Sequence, residues 1–425
     1  MSAITQDRSE TLAPFGTRLD RVTDPVRKAA AGALHRSGLP DRRVEEWRYT
    51  SLRFLNETPL AAPGDLYDAG KIQAQLEELG LAAGPLADLP RLVFVNGRYA
   101  APFSVLPSGV EVSFFAKAQT FGTLSSPDRD PLTALNTVLA EDGAQLQVPA
   151  GKNVGHVLLV SLGQTDEAVS FHPRHAVTLE EGASLVLISI QAGRGRYLHN
   201  PVLEVRVGEH ASLKHITLQK EGEAAACLAT TYADVAGRGT YDSFVLGIGG
   251  ALSRQEIHAR LSAPHATVHV NGAQRLAARQ IGDITSVVTH AAPDCISRQT
   301  VRNVLDGHAR GVFQGKVYVD RVAQKTDGYQ MNQALLLSET AEIDAKPELE
   351  IYADDVKCSH GATVGALDED QLFYLRSRGV PDAEARQILI HAFMDEALAL
   401  VEDETARALC VQMLAGAFPV TGETV

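Results

Sequence analysis

The chain has 425 residues, 45% of them hydrophobic, and a formal net charge of −13. This length and composition support about two or three domains with sizeable cores. The negative charge argues against broad binding to nucleic acid or to an anionic membrane surface, because both require clustered Lys and Arg. The longest apolar runs, such as 185–190, have the length of a strand and are too short to span a bilayer.

The cysteine pattern and the N-terminal residues indicate the cellular compartment. The four cysteines form no CxxC pair, so neither a disulfide framework nor a self-contained zinc site is expected. The first ten residues lack the apolar core of a signal peptide. We therefore expect a cytoplasmic protein with reduced thiols.

Residues 1–140 are predicted to form a mostly helical domain. Val22 and Val26 begin an apolar stripe with helical spacing. Further along, the Asn96-Gly97 pair follows a short apolar run and predicts a small hairpin.

Residues 141–365 differ in character, with short alternating stretches separated by Gly, His and small polar residues. Similar turns recur with small hydroxyl residues 28, 28 and 27 positions apart, at Ser184, Ser212, Thr240 and Thr267. A repeat of this length with short strands predicts a parallel β-solenoid, in which each coil buries its inward residues by stacking on its neighbours. A large β-sandwich with evenly spaced turns is the alternative, and the repeat favours the solenoid.

Residues 366–425 are predicted to be helical again. Asp368 and Gln371 have the spacing of a capping box. After Pro381 a longer helix carries apolar residues on two sides, which is typical of a helix that is buried on two sides. This pattern is compatible with a docking surface for another protein and equally with burial inside the domain.

The segment 354–361 contains the most distinctive group of side chains. In an extended strand Cys358 and His360 project to the same side, and thiolate and imidazole are both ligands of iron or zinc. Lys357 and His360 are expected to lower the pKa of the thiol. Two ligands do not complete a tetrahedral site, so the others would have to come from elsewhere, most simply from a partner chain. Alternatively, Cys358 is a small packing residue that continues the inward face begun by Val356.

The remaining cysteines have no comparable neighbours in sequence, and we expect structural positions for them: Cys227, Cys295 and Cys410. Common catalytic motifs are also missing. The stretch 311–316 is one residue short of the Walker A spacing, and neither HExxH nor GxSxG occurs. If ATP is used, we expect another chain to hydrolyse it.

Four segments resemble the SufD group of the SufB/SufD family of iron–sulfur cluster assembly scaffolds. They are EEWRYTSL (45–52), ALNTVLAEDGAQLQVPAG (134–151), QMNQALLLSETAEIDAKP (330–347) and KPELEIYADDVKCSHGATVGALDEDQLFYLRSRGV (346–380). The last segment is the most specific, and together they touch all three regions. The SufB group is typically longer and has an acidic-His stretch where this sequence has DDVKCSHGAT.

The resemblance implies a mainly β fold, a right-handed parallel β-helix flanked by N-terminal and C-terminal helical domains. It implies pairing with a SufB-type scaffold through the β-helix and docking of a SufC-type ABC ATPase on the C-terminal helices. The interface histidine of the family maps to His360, with Cys358 two residues before it. Both are candidate ligands for transient iron or a nascent cluster at the SufB interface, and no cofactor is expected to bind tightly to this chain alone. The predicted docking residues are Leu372, Phe373, Tyr374, Arg376, Arg378, Pro381, Ile388, His391 and Phe393.

Two other functions are compatible with parts of the sequence. The chain could be a self-associating β-helix scaffold without a metal role, and an isolated chain could form a homodimer through the surface meant for SufB, because an unpaired strand edge seeks a partner. A carbohydrate-active enzyme on a β-helix is disfavoured, since no cluster of Asp and basic residues is visible.

Overall fold

The computed structural model describes residues 8–57, 59–83, 86–119 and 121–416. Its α-helices are α1 (Pro25–Ser37), α2 (Ala69–Glu78), α3 (Phe115–Ala118), α4 (Pro131–Leu139), α5 (Glu369–Ser377), α6 (Asp382–Leu398) and α7 (Glu404–Ala415). Short 3₁₀ segments lie at Arg8–Leu19, Glu45–Trp47, Arg53–Glu57 and Ala101–Phe103.

The strands follow one another closely through the middle of the chain. They are β1 (Arg91–Val95), β2 (Arg98–Tyr99), β3 (Glu111–Phe114), β4 (Ala144–Val148), β5 (Asn153–Gln164), β6 (Val169–Phe171), β7 (Arg174–Leu179), β8 (Ser184–Arg194), β9 (Tyr197–His199), β10 (Val202–Val207), β11 (Ser212–Glu221), β12 (Ala226–Val235), β13 (Thr240–Gly247), β14 (Leu252–Leu261), β15 (Thr267–Leu276), β16 (Ile281–His290), β17 (Ile296–Leu305), β18 (Arg310–Val319), β19 (Thr326–Leu336), β20 (Glu342–Ile351) and β21 (Val356–Gly365).

The strands form two sheets that the chain visits alternately. One sheet has the order β2-β1-β5-β8-β11-β13-β15-β17-β19-β21, and the other runs β20-β18-β16-β14-β12-β10-β7-β4-β3, with β6 and β9 alongside. From β5 onward the paired strands are parallel. This alternation is a parallel β-helix, so the predicted solenoid is confirmed and the sandwich alternative is wrong.

The register of the coils explains the repeat in the sequence. Ser212 pairs with Ser184 on one side and with Thr240 on the other, and Thr240 pairs with Thr267. The recurring hydroxyl residues are therefore equivalent positions of successive coils, at the start of each strand. The predicted hairpin is also confirmed, because β1 and β2 pair antiparallel on either side of Asn96 and Gly97.

Alternation of side chains along each strand creates one interior and two outer faces. Between the sheets, Leu185 and Leu213 of one sheet and Val177 and Val205 of the other belong to a single apolar core. Because successive side chains of a strand point to opposite faces, the neighbouring apolar residues face outward and need a cover.

The helical segments supply these covers. On the outer face of the sheet that contains β12 and β14, Leu228 and Leu252 cluster with Trp47, Leu135 and Leu34 from the N-terminal part. On the outer face of the other sheet, residues of α2, α6 and α7 cluster with Ile188 and Ile216: Ile72, Leu76, Ile390, Met394 and Leu409. No helix in the described ranges is long and apolar enough to cross a membrane.

Capping residues set the helix limits. Asp24 accepts hydrogen bonds from the N–H groups of Val26 and Arg27, so α1 starts at Pro25. Val22 therefore precedes the helix and Val26 is 48% exposed, which makes the predicted stripe wrong at its start. Asp368 caps α5 as predicted, accepting from the N–H groups of residues 370 and 371.

Candidate functional site

Cys358 and His360 lie on β21, the last strand of its sheet. Their backbone partners on β19 are Gly328 and Gln330. Cys358 is half-buried and His360 is exposed, and the two side chains share one face of the strand because they are two residues apart. The structure thus places the predicted pair together at the end of the solenoid.

Cys358 is both a packing residue and an accessible one. It packs on a small apolar cluster formed by Val317, Val319, Ala323 and Ala353. Its sulfur lies beside Gly328 on β19, where an added Cβ would be in ordinary van der Waals contact with Cys358 Sγ at 3.4 Å. The thiol also borders an open depression with charged walls, lined by Arg298, Asp327, Tyr329, Lys357, Cys358 and Ser359.

The expectation that neighbouring cations lower the pKa of the Cys358 thiol is wrong. Burial raises the pKa, and the carboxylate of Asp327 raises it further, while a backbone hydrogen bond with Gly328 acts in the opposite direction. Lys357 and His360 are exposed to solvent, where their charge is well screened. The thiol is therefore protonated at neutral pH in the isolated chain.

The pair provides only part of a metal site. In the described part of the chain, the single group of three His, Cys, Asp or Glu ligands within 4.8 Å of one another lies elsewhere, in the solenoid interior. A soft thiolate and an imidazole suit iron, but a closed site needs further ligands. The donor set thus fits iron or a cluster that another chain helps to hold.

The last coil is open on one side. Within the described residues, β20 and β21 each pair along one edge only. β20 carries Pro347 and alternating charges, features that protect an edge from pairing. β21 has one charged residue, Lys357, and its Val364 is 56% exposed. The edge of β21 is therefore the more available one.

The C-terminal helices present several of the predicted docking residues to solvent. Phe373 is 73% exposed, Tyr374 57% and Ile388 42%. The guanidinium of Arg378 lies over the Tyr374 ring at 5.1 Å. Arg376 and Pro381 are also exposed, and Arg376 forms an ion pair of 3.4 Å with Asp382.

Other predicted docking residues face the chain itself. Leu372 is fully buried, and His391 and Phe393 are half-buried. Arg302 of β17 donates a hydrogen bond of 3.0 Å to the carbonyl of Phe393 and lies 4.8 Å from the centre of its ring. α6 thus has one face on strands β15 and β17 and another in solvent. The predicted burial is confirmed for one side of the helix, and a docking role for the other side stays a prediction.

Sequence reasoning missed the surroundings of Cys227. Cys227, Cys295 and Cys410 are all buried, as expected of structural positions. Cys227, however, lies beside His199 and Glu221. His199 precedes Cys227 by 28 residues, the length of the repeat, and this spacing is the signal that could have revealed the pair.

Comparison with known proteins agrees with this architecture. Residues 162–393 match the family model described as SUF system FeS cluster assembly, SufBD core domain. The iron–sulfur cluster assembly protein SufD of Escherichia coli is 34% identical over 379 residues, which cover 87% of each chain. The SufBD family protein slr0076 of Synechocystis is 31% identical over 89% of this chain and 87% of its own length. The chloroplastic protein ABCI7 of Arabidopsis thaliana is 30% identical over 88% of this chain and 81% of its own. This chain belongs to the SufB/SufD family and has a role in iron–sulfur cluster assembly.

Proposed function

We propose that the chain is a non-catalytic scaffold subunit that pairs with a SufB-type scaffold and carries a SufC-type ABC ATPase on its C-terminal helices. Iron or a nascent cluster is the cargo, held between Cys358 and His360 and groups of the SufB-type partner. The observation that carries this proposal is the position of the two side chains on β21, whose outer edge is unpaired in the described chain.

Pairing through β21 follows from the chemistry of its edge. An unpaired strand presents a row of N–H and C=O groups, which another strand can satisfy. A partner strand on this edge would lie next to Cys358 and His360, so its carboxylates or thiolates could complete the coordination of iron. In this arrangement neither chain holds the cargo alone.

The C-terminal helices connect the proposed ATPase surface to the same sheet. Arg302 on β17 binds the Phe393 carbonyl and pairs with Glu396 of α6. β17 is next to β19, and β19 is next to β21. A movement of α6 during ATP hydrolysis would therefore act on the sheet that ends at the cargo site.

Reconstitution tests this function. The chain is mixed with a SufB-type scaffold and a SufC-type ATPase, and iron and acid-labile sulfide are measured on the purified complex, with a parallel sample that omits the chain. We expect the three proteins to co-elute, the omission to reduce iron loading, and the chain alone to hydrolyse no ATP. Equal loading without the chain, or ATP hydrolysis by the chain alone, would contradict the proposal.

A further inference from the structure

A second group of metal-ligating side chains lies deep between the two sheets. His199 on β9 and Cys227 on β12 are paired in register on neighbouring coils, and Glu221 ends β11 in the facing sheet. His199 is 1% exposed, Glu221 4% and Cys227 0%. These residues are far along the chain from the edge strand β21 and need no partner protein.

The three ligand atoms are close enough to share one ion. His199 Nδ1 lies 2.8 Å from Glu221 Oε1 and 3.8 Å from Cys227 Sγ. Ligand atoms of a tetrahedral zinc or iron(II) site are separated by roughly 3.3–3.5 Å, given metal–ligand bonds of about 2.0–2.3 Å. The Cys–His distance is about 0.3 Å longer than this range and the His–Glu distance about 0.5 Å shorter, so shifts of about half an ångström or less would bring the three atoms to ligand spacing.

Neighbouring polar groups hold the ligands in orientations that suit an ion. His199 Nε2 is 3.1 Å from Ser161 Oγ, which leaves Nδ1 facing Glu221 and Cys227. Gln219 donates to Glu221 Oε2 at 3.3 Å, which leaves Oε1 on the side of the histidine. Such hydrogen bonds to the far side of a ligand are typical of protein metal sites.

Charge balance also favours a cation here. Among the described ion pairs, the buried carboxylate of Glu221 meets only His199. A divalent ion at this point would have its two charges balanced by one carboxylate, from Glu221, and one thiolate, from Cys227.

A separate observation points to the same place. The Tyr197 hydroxyl is buried and has no hydrogen-bond partner, and the residue is 2% exposed. Gly163 and Gly193 leave room for it, since a Cβ on either would lie 2.8 or 2.5 Å from the hydroxyl oxygen. These glycines occupy the strand positions that lead in register to Glu221. An unsatisfied hydroxyl in a dry interior is costly; an ion would bind its oxygen, and a water on the ion would accept its hydrogen bond.

We propose that His199, Glu221 and Cys227 bind one divalent ion of the zinc or iron(II) class inside the solenoid. The Tyr197 hydroxyl, or a water bound to it, completes the coordination. The ion ties β9 and β12 of one sheet to β11 of the other, and it is a resident structural ion separate from the cargo at Cys358 and His360.

Cobalt(II) is a suitable probe because a thiolate ligand gives it a near-ultraviolet charge-transfer band. The full chain carrying Cys358→Ser and His360→Ala is unfolded, stripped of metal and refolded with cobalt, since an enclosed site fills during folding. We expect about one retained equivalent per chain, the thiolate band and a higher Tm than in the metal-free chain. The double variant removes the other candidate site, so the result does not depend on the proposed function.

Matched variants locate the ligand. In the same background, Cys227→Ser should abolish the thiolate band, while Cys295→Ser, which alters another buried thiol, should leave the band and the stoichiometry unchanged. Glu221→Gln keeps the shape of the side chain and should weaken cobalt binding at least tenfold with an unchanged circular dichroism spectrum. If the refolded chain retains no cobalt, or if Cys227→Ser and Cys295→Ser retain it equally with the same band, the proposal is wrong.

Discussion

At the scale of single residues, the environment of Cys358 decides what its thiol can do. One side of the residue packs on the apolar cluster around Val317, and the other borders the depression beside Lys357 and Asp327. Burial raises the pKa of the thiol, so metal binding at this position has to displace a proton. In the proposed complex, a cation held by the partner would provide the driving force.

The raised pKa gives a direct expectation for chemical reactivity. Only the thiolate reacts with iodoacetamide, so the rate of alkylation of Cys358 in the native chain should rise with pH through a midpoint above the ordinary value for cysteine. Mass spectrometry of the native protein across a pH series measures this rate. Cys358→Ser should remove most of the alkylation of the native chain, because the other three cysteines are buried. A midpoint below the ordinary value would contradict this account.

A second prediction at this scale concerns the buried ion pair under the single tryptophan. Arg254 lies 4.0 Å from the centre of the Trp47 ring and 2.5 Å from Asp283, whose carboxylate also accepts from Thr50. Asp283→Ala would leave the buried guanidinium with Glu256 alone, at a cost of about 3–5 kcal/mol in the free energy of unfolding. Urea unfolding followed by Trp47 fluorescence measures the cost.

The control for this variant is Asp382→Ala, which breaks two exposed pairs, with Arg376 and with Arg386. Such exposed pairs contribute little to stability, because solvent screens their charges. A loss of equal size in the two variants would mean that the Arg254–Asp283 pair does not anchor the segment around Trp47.

At the scale of elements, the exposed face of α5 is the clearest candidate for the ATPase surface. Phe373 and Tyr374 are large, adjacent and mostly exposed, and aromatic residues are frequent hot spots of protein interfaces. Leu372 and Phe393 of the same segment pack within the chain, so we expect them to support this face rather than to contact the partner.

Phe373→Asp should weaken binding of the SufC-type ATPase by about thirtyfold, the equivalent of about 2 kcal/mol for a hot-spot residue. Isothermal titration calorimetry with the purified ATPase measures the change. Leu66→Asp is the matched control, because Leu66 is 92% exposed and lies in the N-terminal part of the chain. Unchanged affinity for the Phe373 variant would exclude this face as the docking surface.

Contacts between strands differ in how far the sequence could predict them. Turns spaced by about 28 residues predict the solenoid because each coil repeats the same backbone path, and Ser184, Ser212 and Thr240 do stack in register. Cys358 and His360 were predictable as a pair because both lie on one strand. The contact of Glu221 with His199 was not predictable, because Glu221 lies on the facing sheet. A repeat within one sheet carries no information about contacts across the interior.

At the scale of the whole molecule, the solenoid is covered on its outer faces and open at its last coil. The free edge of β21 lies there, together with the proposed partner surface and the proposed cargo ligands Cys358 and His360. The limits of the three predicted domains, 1–140, 141–365 and 366–425, stay predictions. Strands β1, β2 and β3 come from the first of these ranges and pair within the two sheets, so the first range contributes to the solenoid as well as covering it.

The open edge should also join two copies of this chain when no partner is present. Analytical ultracentrifugation of the purified chain should show a dimer that Val364→Lys dissociates, because a charge on the exposed edge opposes strand pairing. Val322→Lys should leave the dimer intact, since Val322 is 66% exposed in a turn between β18 and β19. A chain that is monomeric at all concentrations would contradict the prediction.

The central claim is that His360 helps to hold the cargo at the interface with a SufB-type partner. The most direct test is the iron and acid-labile sulfide content of the reconstituted complex made with His360→Ala, beside His308→Ala, which alters an exposed turn histidine away from β21. We predict that both complexes assemble and that only the His360 variant loses iron and sulfide. Equal iron and sulfide in the two complexes would show that His360 is not a ligand and would reduce this chain to a scaffold for the ATPase.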